Sequence, residues 1–122
     1  MQTTSLDHVN IRTRDLDSSV NFYSEVLGLR AGNPPAAVSR NQARWLFDTS
    51  DRPIIHLRLF ESDAESTGPI DHVALRCTGK AEVIERLQQR GVEFKVFDAS
   101  ARSVVFARDP HGVMLELNFD EI

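Results

Sequence analysis

The chain has 122 residues, 41% of them apolar and 26% charged, with a formal charge of −4, which describes one ordinary globular domain long enough to bury a core. The negative balance and the lack of a basic run exclude a general attraction for nucleic acid or anionic membrane, so neither is expected as a partner. Cys77 is the only cysteine, which excludes an internal disulfide; with no signal-like apolar leader and no membrane-length segment, the expected location is cytoplasmic.

The first element is the stretch LDHVNIR at 6–12. It alternates like a strand, with Leu6, His8, Asn10 and Arg12 on one side and Val9 and Ile11 on the other. DLDSSVNFYSEVLG follows as a helix with Asp15 as its N-cap, a stripe of Leu16, Val20, Tyr23 and Leu27, and Gly28 as its left-handed stop. Tyr23 is read as a core or interface residue. A short strand near Leu29, a turn at NPP (33–35), a strand ARWLFD at 43–48, a turn DTSDRP at 48–53 and a strand PIIHLRLF at 53–60 complete the first half. Trp45 and Phe47 serve equally well as a binding wall or as core. ESDAESTGP at 61–69 is a polar linker.

The second half opens on IDHVALR at 70–76, which repeats the first phrase: apolar, Asp, His, Val, any residue, apolar, Arg. GKAEVIERLQQRG is again a helix, with Val83, Ile84 and Leu87 as its stripe and Gly91 as its stop. Strands follow at VEFKVFD (92–98), SVVFAR (103–108) and VMLELNF (113–119), the last two joined by the turn DPHG at 109–112. His111 is assigned to that turn, and Cys77, with no activating neighbour in sequence, to an unreactive thiol.

Gly28 follows His8 by 20 residues, and Gly91 follows His72 by 19. The chain is therefore one design written twice. The expected fold class is α+β: two βαβββ modules, about 5–60 and about 70–119, forming a curved mixed-sheet cavity within a single domain spanning 1–122. In the last strands His56 takes the place that Glu116 takes in the second copy. If the modules associate about a pseudo-twofold axis, His8, His56, His72 and Glu116 converge, with the apolar residues on the opposite face. Neutral imidazole and carboxylate are the donors that hold a divalent first-row metal, so one ion is expected: Zn, Ni, Mn, Fe or Co. His8, His72 and Glu116 already suffice for a site with open positions, which leaves His56 as a fourth ligand or as a residue beside the ion. Strand parity also aims Arg12, Arg58 and Arg76 at the cavity, a possible clamp for an anionic substrate, with Asn10, Asn118 and Met114 beside them. The alternative is that the three guanidiniums lie in solvent or pair with acids.

LDHVNIRTRDLDSSVNFYSEVLGLR, IDHVALR and RDPHGVMLELNF together resemble the vicinal oxygen chelate superfamily, which includes glyoxalase I, extradiol dioxygenases, fosfomycin-resistance transferases, methylmalonyl-CoA epimerase and bleomycin-resistance proteins. The resemblance covers almost the whole chain. It implies a metal held by His8, His72 and Glu116, with the place of His56 a fourth ligand in some branches and not in others; Glu116 and His56 are the expected catalytic residues. It also implies a small-molecule substrate and a homodimer in which sites can be shared between chains. Where the lyase branch carries Glu or Gln, this chain has His56; where the ring-cleaving dioxygenases carry Tyr before the closing turn, it has Phe106. Arg12 stands where glyoxalase I has an Arg. The leading expectation is glyoxalase-type lyase or isomerase chemistry. An iron-dependent extradiol-type dioxygenase and a metal-free ligand-sequestering resistance protein are the alternatives.

Overall fold

The computed structural model describes residues 1–36, 38–61 and 67–120, so most of the linker expected at 61–69 lies outside the described residues. The elements in chain order are β1 (Val9–Thr13), α1 (Leu16–Glu25), β2 (Arg30–Gly32), β3 (Ala43–Phe47), β4 (Pro53–Leu59), β5 (Val73–Cys77), α2 (Lys80–Gln89), β6 (Phe94–Ala99), β7 (Arg102–Arg108) and β8 (Met114–Phe119). The fold is α+β: two four-stranded mixed sheets and two helices. One sheet is ordered β1-β4-β3-β2 and the other β5-β8-β7-β6.

Two compact units carry these sheets, the first formed by Met1–Ser24 with Gly28–Asp63 and the second by Glu25–Leu27 with Ala64–Ile122. In each sheet the first and last strands of its βαβββ run pair in parallel, and the remaining neighbours are antiparallel. The first two strands of each run lie at opposite edges of their sheet, so the chain must cross the sheet between them, and a helix makes that crossing. The registers also correspond. Asn10 pairs with His56 and Arg12 with Arg58 in the first sheet; Ala74 pairs with Glu116 and Arg76 with Asn118 in the second.

The strands begin slightly later than the repeated phrase suggests. β1 starts at Val9 and β5 at Val73, so His8 and His72 each sit on the residue just before a strand. The alternation holds: Ile11, Ile55, Leu57, Leu115, Leu117 and Phe119 are buried, while the residues between them are less so. The side chains available for chemistry therefore stand opposite the packed face.

Both helices end as expected. Gly28, at φ 71°, and Gly91, at φ 65°, adopt the left-handed conformation in which a side chain would be strained. The Leu29 N–H then donates to the Tyr23 carbonyl, and the Val92 N–H to that of Leu87. Asp15 caps α1 by accepting from the Ser18 N–H at 3.2 Å. The stripe of α1 needs correction. Its buried residues are Leu16, Ser19, Phe22 and Tyr23, followed by Val26, whereas Val20 and Leu27 are only partly buried. A serine is tolerated on this face because its hydroxyl donates to that of Thr13 at 2.8 Å, so neither buried oxygen is stranded.

The β3–β4 and β7–β8 connections are the same turn. The Asp48 carboxylate accepts from the Ser50 and Arg52 N–H groups at 2.9 and 3.0 Å. The Asp109 carboxylate accepts from those of His111 and Val113, both at 2.9 Å. Asp51, at φ 58°, occupies the place of Gly112, at φ 95°. His111 thus belongs to a turn, as read from the sequence.

Candidate functional site

The first unit presents an aromatic stack. Register places Trp45 opposite His56, and their rings lie 3.9 Å apart at 5°. His8 covers the other face of His56 at 3.8 Å and 15°. Burial lowers the His56 pKa, and the neighbouring His8 lowers it further; a hydrogen bond with the Pro53 backbone and the Asp7 charge act in the opposite sense. Its Nε2 is buried and has no hydrogen-bond partner. His56 is therefore a neutral imidazole with a spare lone pair at ordinary pH.

The second unit presents His72, Glu116, Asn118 and Phe106. His72 Nε2 lies 3.7 Å from Glu116 Oε1. Asn118 Nδ2 donates to Glu116 Oε2 at 2.9 Å, holding the carboxylate in place. Phe106, opposite Glu116 in the register, meets His72 edge to face at 6.5 Å and Phe97 at 5.8 Å. Phe97 itself is 57% exposed. A hydrogen bond to the Asp71 carboxylate, at 2.8 Å, raises the His72 pKa against desolvation, with the Glu116 and Asp71 charges adding to the rise.

The two shifts have opposite linkage signs. The environment of His56 favours the neutral ring, so its contribution to stability is present above the ordinary imidazole pKa of about 6.5 and is lost as pH falls. His72 gains most when charged. Its contribution is complete below that pKa and is lost as pH rises through the raised value. Imidazole titration followed by NMR on metal-free protein is expected to give a midpoint below the ordinary value for His56 and above it for His72. Reversed midpoints would refute both assignments.

The sequence-selected arginines behave differently from one another. Arg76 donates to both oxygens of Asp120, at 3.0 and 2.9 Å, so one predicted clamp residue is engaged by an acid. The Arg12 guanidinium lies 4.4 Å from the Phe60 ring centroid. Arg58 and Asn10 are exposed on neighbouring parallel strands beside it. Cys77 is half-buried in an apolar setting that pushes its thiol up to about 11, which makes it a poor nucleophile.

The four proposed metal donors are thus found as two pairs, His8 with His56 and His72 with Glu116. Among the described residues no three His, Cys, Asp or Glu side chains form a metal-holding group. The donor chemistry nevertheless fits a divalent ion. Two donors bonded at about 2.1 Å to one ion stand at most about 4.2 Å apart, and His72 and Glu116 meet that limit at 3.7 Å. The stacked rings of His8 and His56 are less suited to sharing an ion, because imidazole lone pairs lie in the ring planes and here run side by side. Sequence reading missed the stack and the acids beside the histidines. The repeated Asp before each His was the available signal.

Known proteins agree with this architecture. The chain is 28% identical over 127 residues to a protein named glyoxylase I 4 from Arabidopsis thaliana, covering 96% of this chain and 71% of that one. It is 24% identical over 148 residues to a lactoylglutathione lyase from Schizosaccharomyces pombe, with 96% of this chain covered but only 48% of the relative, about half its length. A mutant of the fosfomycin resistance protein FosX from Listeria monocytogenes, solved with Mn(II) and 1S,2S-dihydroxypropylphosphonic acid, superposes with a TM-score of 0.69 at 17% identity, covering 95% and 92% of the two chains. Residues 5–117 match the profile of one family, and the chain accordingly belongs to the Glyoxalase/Bleomycin resistance protein/Dioxygenase superfamily.

Proposed function

We propose that this protein is a metal-dependent lyase or isomerase of glyoxalase type acting on a small anionic substrate. The supporting observation is the His72–Glu116 pair. The Asp71 carboxylate can only accept, so the proton of a neutral His72 ring sits on Nδ1 and the Nε2 lone pair faces Glu116 Oε1. Two acceptors 3.7 Å apart repel unless a positive charge lies between them, either a proton on Nε2 or a metal ion. The Mn(II) in the FosX structure supports the second choice, and the names of the two relatives support the lyase chemistry.

In this reading His8, His72 and Glu116 hold the ion. A divalent ion bound there supplies positive charge against negative charge developing on substrate oxygens. The unpartnered Nε2 of a neutral His56 supports reading that residue as a group that moves a proton, alongside the ligand Glu116, and not as a ligand itself. Asn118 keeps Glu116 oriented. Arg12 and Arg58 attract the substrate anion, with Asn10 beside them, while Arg76 shares its charge with Asp120. The expected assembly is a homodimer, to be measured by light scattering. Among the described residues no helix is long and apolar enough to cross a membrane.

Elemental analysis of untagged protein, followed by hemithioacetal and catechol assays, tests this function. A stoichiometric divalent metal with hemithioacetal turnover is expected. Oxygen uptake with catechols would replace the lyase reading with a dioxygenase, and tight ligand binding by metal-free protein would replace it with a sequestering role. Because the proton and the ion compete for Nε2, metal affinity is expected to rise with pH through the titration of His72, with proton release on binding. Calorimetry in buffers of different ionisation enthalpy measures that release.

A further inference from the structure

The acids preceding the two histidines carry a role of their own. His8 Nδ1 meets Asp7 Oδ1 at 2.7 Å and His72 Nδ1 meets Asp71 Oδ2 at 2.8 Å. Neighbouring residues in an extended chain point to opposite sides, so such a contact is not the default of the backbone. Yet it occurs in both copies, in the same orientation and at matched positions just before β1 and β5. All four side chains are solvent-accessible, the acids most of all, so the contact fills no core space.

We propose that Asp7 and Asp71 are positioning residues that hold His8 and His72 as Nδ1–H tautomers, leaving both Nε2 lone pairs free to bind a divalent cation. An ionised carboxylate has no proton to donate, so the shared proton belongs to the ring. The opposite tautomer, with Nε2–H, would turn a donor hydrogen towards the cation and block ligation. An acid at Nδ1 also aligns the ring and increases the basicity of the ligating nitrogen. The duplicated Asp-His is thus the smallest unit that supplies both a ligand and its orienting partner. This inference rests on the metal reading above, but its first test does not.

That test is long-range 1H–15N NMR on metal-free protein at about pH 9, where ordinary imidazoles are neutral. Wild-type His8 and His72 are expected as Nδ1–H tautomers. Asp7→Ala and Asp71→Ala should each convert their own histidine towards Nε2–H, leave the other unchanged, and recover on substitution with Glu. A titration with Zn(II) alone should then show roughly 10- to 100-fold weaker binding in each alanine variant. A mere staple of the loop would alter melting and leave the tautomer alone; that result, or a wild-type Nε2–H tautomer, overturns the proposal. Tautomers that respond as expected in a chain that binds no Zn(II) uphold the positioning role and overturn the metal reading instead.

Discussion

Glu116→Ala is expected to lower turnover by about 10²- to 10⁴-fold, the range for removal of a group that moves a proton in the transition state, and to release the bound metal as well. The local structure explains why the loss should fall on chemistry and not on folding. Glu116 lies between Leu115 and Leu117, both buried on the opposite face of β8, so truncating it opens no cavity in the core. Asn118 loses a partly exposed hydrogen-bond partner that water can replace. Rate measurement together with elemental analysis checks the prediction. Full metal occupancy and normal turnover in the variant would remove Glu116 from the site.

Phe119→Ala, three residues along the same strand, should do the reverse. Phe119 is fully buried at the end of β8, where its backbone pairs with Cys77 and Ser103. Deleting a buried phenyl ring typically costs about 3–5 kcal/mol through lost transfer energy and the cavity left behind. Since whole domains are stable by only about 5–15 kcal/mol, the midpoint of chemical denaturation should fall by roughly a fifth or more. Metal affinity per folded molecule should hardly change. Urea titration with and without Zn(II) separates the two effects, and an unchanged midpoint would contradict the packing described for β8.

These paired outcomes depend on strand parity, and parity was legible in the sequence. The alternation around His8, His56, His72 and Glu116 placed the polar groups on one face and Ile11, Ile55, Leu115 and Leu117 on the other, and the burial agrees. The duplication was legible from the repeated phrase and the two helix-stopping glycines. The exact face of α1 was not. Ser19 looks like a solvent residue until its hydroxyl is seen to satisfy that of Thr13 inside the protein. Arg76 likewise looked inward-facing by parity, but pairing with Asp120 depends on where the chain goes after β8, which a strand pattern does not encode. The stack of Trp45 on His56 follows from the β3–β4 register, which depends on the Asp48 turn and on a shift between Leu46 and Phe47 that strand alternation does not encode.

The doubled hairpin connector has a practical consequence. In each copy one aspartate carboxylate gathers two main-chain N–H groups, with the Arg52 side chain also donating to Asp48 in the first and the Arg108 side chain to the Gly112 carbonyl in the second, while the side chains at 49, 50 and 110 make none of these bonds. A loop anchored in this way can change its outward chemistry without disturbing the hairpin it closes. Such loops are where this scaffold can accept new specificity, a label or a graft at small cost to folding.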